Sequence, residues 1–298
     1  MSLSLAQDGI INKLRSNLPD CPFPIRYTSL TAFNARYRQG RITATGSLVY
    51  TNVTEHVKIG DAPADFQRLA PSFTVSLQPW QEQLLFLRLM YKSTFRMPTF
   101  NDLYYYRLGN RSLRPEKANE YNMGITWSRS FSSFLNYLSV TVDGYYNDVT
   151  DKIVAFPTTY AWKMANYGKV HVTGMDATLA AAASLGKNTV LVVSGGYTWQ
   201  KAIDLTDATS KSYKDQLPYT PKHSGNVSAV LEMPWVNVGY SIVGVSERYS
   251  MSQNIPENRI DGYMEHTVSL SRNFSFRHCK LRLQAEIINL TDTQYDVI

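Results

Sequence analysis

From Arg26 onward the chain alternates apolar and polar residues at a period of two, the pattern of a sheet with one oily face and one wet face. Ile42, Ala44, Leu48 and Tyr50 share one face of a segment whose other face carries Thr43, Thr45, Ser47 and Thr51. Leu85, Leu87, Leu89 and Tyr91 oppose Arg88, Met90 and Lys92, and Tyr121, Met123, Ile125 and Trp127 oppose Asn122, Gly124, Thr126 and Ser128. Near the end, Leu281, Leu283, Ala285 and Ile287 oppose Lys280, Arg282, Gln284 and Glu286. A helix would put those charges on the same side as the leucines. The pattern predicts about twelve strands, near 26–38, 41–53, 69–78, 84–94, 118–130, 136–148, 169–184, 187–201, 218–232, 235–249, 262–274 and 279–290. Many are far longer than the usual strand of about 5 or 6 residues. A tilted strand crossing a bilayer needs about 9 to 11 residues plus its wet ends, which accounts for the excess.

The connections add a second regularity. Every other one is tight, at Gln39-Gly40, Pro79-Trp80-Gln81, Ser130 to Phe134, Gly186, Pro234 and Ser275-Phe276. The others are long, from Thr54 to Arg68, Phe95 to Lys117, Val149 to Gly168, Lys201 to Leu217 and Ser250 to Asp261. In an antiparallel meander this sorts short turns to one end and long loops to the other, as in outer-membrane barrels. Tyr27, Trp80, Trp127, Tyr197, Trp199, Trp235 and Tyr249 fall near strand ends, where amphipathic rings suit the headgroup level. A soluble sandwich or propeller is the competing reading. Sandwich strands are shorter, however, and no repeat of propeller length is present. The first 24 residues give no clear element; Ile10 to Leu18 has room for one amphipathic turn, stopped by Pro19, Pro22 and Pro24.

Composition changes this picture little. The 298 residues are 44% hydrophobic and 18% charged, with 20 Tyr and a mean hydropathy of -0.27, which favours strands and turns and excludes disorder and collagen. No window approaches the run of about 20 apolar residues that a spanning helix needs, while a β-barrel stays open because its strands alternate. Thirty Lys+Arg against 24 Asp+Glu give a net +6, but the basic residues are dispersed and form no nucleic-acid module. Cys21 and Cys279 match no ligand spacing, and a disulfide between them is neither required nor excluded. No charged-then-apolar leader opens the chain, so a truncated piece is the expectation.

Catalytic chemistry is not legible. Gly40 to Gly46 lacks the Lys of a phosphate loop and lies in a predicted strand. His56, His171, His223, His266 and His278 are scattered singly, the Asp61 and Asp65 pair reads as solvated loop charge, and no nucleophile elbow is present. No catalytic residue, metal site or cofactor is predicted, and the chain is not expected to be an enzyme. Asn52-Val53-Thr54 and Asn110-Arg111-Ser112 match a glycosylation triplet that arises often by chance. The loop from Phe95 to Lys117 stands out. Tyr104, Tyr105 and Tyr106 beside Arg107 suit a bulky, partly anionic ligand held by stacking and charge. Equally, Phe100, Leu103 and the tyrosines suit simple packing of the loop onto a barrel mouth.

That loop also carries a resemblance. Phe95-Arg96-Met97-Pro98-Thr99-Phe100-Asn101-Asp102-Leu103, then Gly109-Asn110, then Leu113-Arg114-Pro115-Glu116-Lys117-Ala118-Asn119-Glu120-Tyr121 resembles the FRxPTFxxLY…GNxxLxPExxxxYxxG signature of TonB-dependent outer-membrane receptors. Three weaker marks follow in that family's order: Asn166 to Val170 with Gly174 to Ala177, Pro218 to His223, and Asn289-Leu290-Thr291-Asp292-Thr293-Gln294-Tyr295. The resemblance implies an all-β antiparallel transmembrane barrel of the bacterial outer membrane, with a plug inside about 22 strands. It implies uptake of a scarce small-molecule ligand (ferric siderophore, haem or cobalamin, glycans in some groups) driven by the TonB complex, with outer-membrane lipid as surroundings and no nucleic-acid partner. The match covers the C-terminal part of such a barrel: the predicted strands would be the tenth to twenty-first, with plug, TonB box and last strand outside the chain. Residues 26–298 are then barrel, and residues 1–25 a remnant of an outer loop; the alternatives are a complete smaller outer-membrane barrel acting as a passive channel or adhesin, and a soluble β-rich binding module. Pro98 and Pro115 would keep the loop from extending the strands, and Glu116 would bond loop backbone or the arginines.

Overall fold

The computed structural model describes residues 1–17, 21–157, 162–277 and 279–296. One antiparallel sheet contains β1 (Ser2–Lys13), β2 (Ile25–Gln39), β3 (Ile42–His56), β4 (Phe66–Leu77), β5 (Leu84–Arg96), β6 (Glu116–Ser130), β7 (Leu135–Pro157), β8 (Trp162–Gly186), β9 (Thr189–Asp204), β10 (His223–Glu232) and β11 (Asn237–Val245). After a loop holding the two-residue pair β12 (Arg248–Tyr249) and β13 (Arg259–Ile260), it ends with β14 (Tyr263–Ser275) and β15 (Lys280–Ile287). Each strand of the main sheet pairs with its neighbours in chain order, so the topology is an open meander with β1 and β15 at its edges. Among the described residues, no helix is long and apolar enough to cross a membrane.

All twelve predicted strands are present, and three readings need correction. Ser2–Lys13, expected within a loop remnant, is a strand paired with β2 from Ser2↔Arg36 to Lys13↔Ile25. Gly9-Ile10-Ile11 breaks its alternation, so the strand is set by the partner edge of β2 more than by its own pattern. The end of the expected turn, Leu18, and Pro19 lie outside the described residues. Val149 to Gly168, expected as a long loop, is mostly ladder, because Ile153↔Asn166 and Ala155↔Met164 continue the pairing past a left-handed residue, Asp151 (φ 56°). Finally, β10 begins at His223 and not at 218, since Pro218 and Pro221 have no N–H to give a ladder.

The register aligns the apolar positions into rows across the sheet. Leu77 lies opposite Leu87, Leu87 opposite Ile125, and Ile125 opposite Val142. These rows face outward: Leu89 is 56% and Met123 67% exposed. Besides prolines such as Pro22 and Pro24, only nine apolar side chains are buried among the described residues, and none belongs to a second layer packed on these rows. An apolar surface this extensive fits a hydrocarbon solvent and not water. The same face carries an aromatic belt, in which His56, His171, His223 and His266 each lie beside a tyrosine, with ring centroids 6.1, 5.3, 6.1 and 6.1 Å from Tyr27, Tyr146, Tyr197 and Tyr240. His278 lies outside the described residues. Both cysteines are free, Cys21 buried and Cys279 exposed.

The opposite face is polar and bonded across strands. The Thr126 and Thr141 hydroxyls lie 3.0 Å apart, those of Ser128 and Ser139 2.8 Å. Arg88 on β5 reaches over β6 to Asp143 on β7 at 3.1 Å. It passes above Gly124, which is in register with both, and a side chain there would collide with the Asp143 carboxylate. The buried clusters sit at the loop end: Val149, Val170, Ala202 and Leu217 in one, Leu103, Leu113 and Ile153 in the other.

Candidate functional site

Between β5 and β6 the chain folds into a clasp. Pro98 stops the strand, and a five-residue helix, α1 (Phe100–Tyr104), follows at once. Its start is a capping box: the Asp102 N–H donates to Thr99 Oγ1 at 3.1 Å while Asp102 Oδ2 accepts from the Thr99 N–H at 2.8 Å. Asp102 also pairs with Arg96 at 3.2 Å, and Arg96 donates to the Ile153 carbonyl at 3.1 Å. Glu116 closes the other end, accepting from the Ile153 N–H at 3.0 Å and pairing with Arg96 at 3.4 Å. Glu116 thus bonds both backbone and arginine. Gly109 passes so close to the end of α1 that a Cβ would lie 2.7 Å from the Leu103 carbonyl carbon, which leaves glycine as the residue that fits. Asn110 then donates to the Met164 carbonyl at 3.0 Å.

The four residues singled out in this loop separate into two groups. Tyr104 turns inward against the cluster of Leu103, Leu113 and Ile153, and its hydroxyl donates to Glu55 Oε1 on β3. Glu55, itself buried, also accepts from Arg26 Nε at 2.7 Å, and the Arg26 guanidinium lies 5.0 Å above the Phe100 ring. Burial, reinforced by the bond to Glu55, holds the Tyr104 phenol well above the ordinary tyrosine range. Tyr105, Tyr106 and Arg107 instead form a turn closed by the Gly109 N–H on the Tyr105 carbonyl at 2.8 Å. Tyr105 is 52% and Tyr106 40% exposed, Arg107 adopts a left-handed backbone (φ 64°), and its guanidinium lies 5.1 Å over the Tyr106 ring. The packing role expected of the tyrosines therefore falls to Tyr104, and the exposed aromatic-cation surface to the other three.

The comparisons bear on this frame. The family model described as "TonB dependent receptor-like, beta-barrel" matches residues 11–290. The chain belongs to the TonB-dependent receptor family. Among curated receptors, it is 32% identical over 84 residues to the Vitamin B12 transporter BtuB of Vibrio vulnificus, covering 28% of this chain and 13% of that protein. It is 25% identical over 209 residues to the Vitamin B12 transporter BtuB of Photobacterium profundum, covering 67% of this chain and 30% of that protein. Among solved structures, the copper transporter OprC superposes with a TM-score of 0.71 at 15% identity over 99% of this chain and 48% of its own. The unliganded ferric citrate transporter FecA gives 0.73 at 15% identity over 93% and 43%. The chain thus spans less than half of the relatives it matches. Within the family, the open sheet is part of an antiparallel barrel of the bacterial outer membrane, its apolar rows facing lipid and its polar face the lumen.

The weaker marks of this receptor barrel are also structural. The Asn166 side chain accepts from the Arg114 N–H at 2.9 Å and donates to the Arg114 and Asp151 carbonyls at 3.0 and 2.7 Å, pinning β8 to the clasp. Asn289 braces its own turn, accepting from the Thr293 N–H at 2.9 Å, and Tyr295 stacks on Tyr263 with centroids 3.9 Å apart. Sequence reasoning missed Glu55 and Arg26. A carboxylate at an inward position near the end of β3 was their one available signal, but alternation says which face a residue takes and not which partner it meets.

Proposed function

We propose that this chain is the C-terminal barrel part of a receptor that captures a scarce nutrient at the outer face of the outer membrane, with the TonB complex supplying energy through parts of the receptor outside this chain. Cargo of the siderophore, haem or cobalamin class fits, with curated relatives named as vitamin B12 transporters supporting the last. In this reading Tyr105, Tyr106 and Arg107 touch the ligand, Tyr104 positions the turn that presents them, and no residue has a catalytic role. The observation that carries it is the division of the loop: a closed frame from Arg96 to Glu116 holds one exposed aromatic-cation turn outward. Rigid presentation of that kind suits capture of a bulky ligand by stacking and charge.

The test is growth of the source bacterium, with the encoding gene deleted, on single iron, haem and cobalamin sources. One source should fail to support growth. Complementation by a receptor carrying Tyr105→Ala, Tyr106→Ala and Arg107→Ala should restore membrane insertion but not uptake. Undiminished uptake of every source by the deletion strain would overturn the proposal.

A further inference from the structure

A cavity of about 340 Å³ lies where the β3–β4 connection approaches the clasp, and the Tyr105–Arg107 turn does not line it. Pro63, Met97, Pro98 and Leu113 give it apolar walls. Arg26, Arg111 and Arg114 also line it, and no acidic side chain does so among the described residues. Their charges are unequally matched. Arg114 is paired with Asp151 at 2.6 Å. Arg26 bonds Glu55 through its Nε, and its Nη2 is buried with no hydrogen-bond partner among the described residues. Arg111 makes no ion pair among the described residues; its guanidinium lies 5.6 Å over the ring of Tyr104. An apolar-walled space lined by one unpaired arginine, with a second arginine whose incompletely bonded guanidinium is buried beside it, lacks a negative charge and oxygen acceptors.

We propose that this cavity is an anion subsite that takes a carboxylate-bearing organic ligand, with Arg111 as the cationic contact and the buried Arg26 guanidinium adding positive charge from behind the wall. A planar carboxylate matches the guanidinium fork with two parallel bonds, and the apolar walls hold the ligand's carbon skeleton. The residues divide the work as the signature does. Asn110, Leu113, Pro115 and Glu116 occupy its fixed positions and build the frame, whereas Arg111 and Arg114 occupy positions it leaves open. The frame is thus separable from the cationic lining, so the lining sets the charge of the ligand. The proposal rests on the receptor reading for its biological sense, because a carboxylate-bearing cargo, or a carboxylate arm of it, is what the site would select.

The test is direct binding, independent of uptake. The full chain is folded into detergent micelles, strand content is checked by circular dichroism, and phthalate is titrated calorimetrically, with benzyltrimethylammonium as a cation of similar size. Phthalate should bind, the cation should not, and rising salt should weaken the binding. Arg111→Gln should reduce affinity by about tenfold or more, as loss of a charge-assisted bond does. Arg111 is exposed, so this variant does not depend on the buried Arg26–Glu55 pair; Arg26→Gln, if its strand content is retained, should act in the same direction. No phthalate heat from the folded wild-type chain, or equal affinity in Arg111→Gln, would overturn the subsite. Loss of uptake on deletion without phthalate binding by the wild-type chain would fail the subsite alone, whereas phthalate binding with undiminished uptake in the deletion strain would fail the receptor reading alone.

Discussion

Leu89 in the wall of the sheet and Leu103 in the clasp are one residue type in two solvents. Leu89 stands 56% exposed in an apolar row, beside Val75 and Met123 in register, and its environment is completed by lipid. Leu103 is 2% exposed and is enclosed by protein, against Leu113, Ile153, Tyr104 and Met164. The wall is held by its backbone ladder, and its side chains gain little from each other. The clasp has little ladder and is held by side chains: a capping box, two carboxylates each shared between donors, and a small core. The barrel wall therefore tolerates any side chain that lipid accepts, whereas the loop end behaves as a small soluble core grafted onto a membrane sheet.

The largest effect that sharpens this contrast is expected at Glu55. Glu55→Ala leaves the Arg26 guanidinium buried without its partner and removes the acceptor of Tyr104, at a cost of about 3–5 kcal/mol. Denaturant unfolding of the chain in micelles, followed by tyrosine and tryptophan fluorescence, measures it. A loss below about 1 kcal/mol, as at a surface ion pair, would mean that the clasp is wet and the contrast with the wall false.

The next comparison sets Leu103→Ala against Leu89→Ala. The first loses transfer energy and opens a cavity, for about 2–5 kcal/mol. The second loses transfer energy alone, because lipid or detergent fills the gap, for about 1–2 kcal/mol. Equal losses in the same unfolding experiment would break the distinction between a packed region and a solvated one.

The two regions also differed in legibility. Period-two alternation needs only neighbouring residues, so Leu87, Leu89 and Tyr91 announced their face and the short-long loop rhythm announced the meander. Residues that depend on a distant partner were silent: β1 is specified by the edge of β2, and the 151–157 extension by its pairing with β8. In the clasp, Pro98 and Glu116 were legible because their roles are local or chemically narrow. The inward turn of Tyr104 was not, since three consecutive tyrosines are indistinguishable until Glu55, 49 positions away, is placed beside one of them. Arg111 and Arg114 follow the aromatic run in sequence, but the cavity they line was silent, because its other wall is made by a different connection.

The smallest expected effect is one of pH, and it probes the closed side of the comparison. Tyr104 has its folded-state phenol raised above the unfolded value, by burial first and then by the bond to Glu55. The stability linked to this group is therefore complete below the ordinary phenol value of about 10 and declines as pH rises from there toward the folded-state value, where the proton shared with Glu55 is lost. Because Tyr104 is only half-buried, solvent weakens the linkage, and the clasp should loosen gradually without unfolding the sheet. Ultraviolet titration of the phenolates, wild type against Tyr104→Phe, should give curves that coincide through the ordinary range and part by one phenolate only beyond it. Over the same alkaline interval, backbone exchange in 95–117 should quicken in the wild type while β5 and β6 stay protected. If the curves part within the ordinary range, water already reaches the Tyr104–Glu55 bond, and the loop end is as open to its solvent as the wall is to lipid.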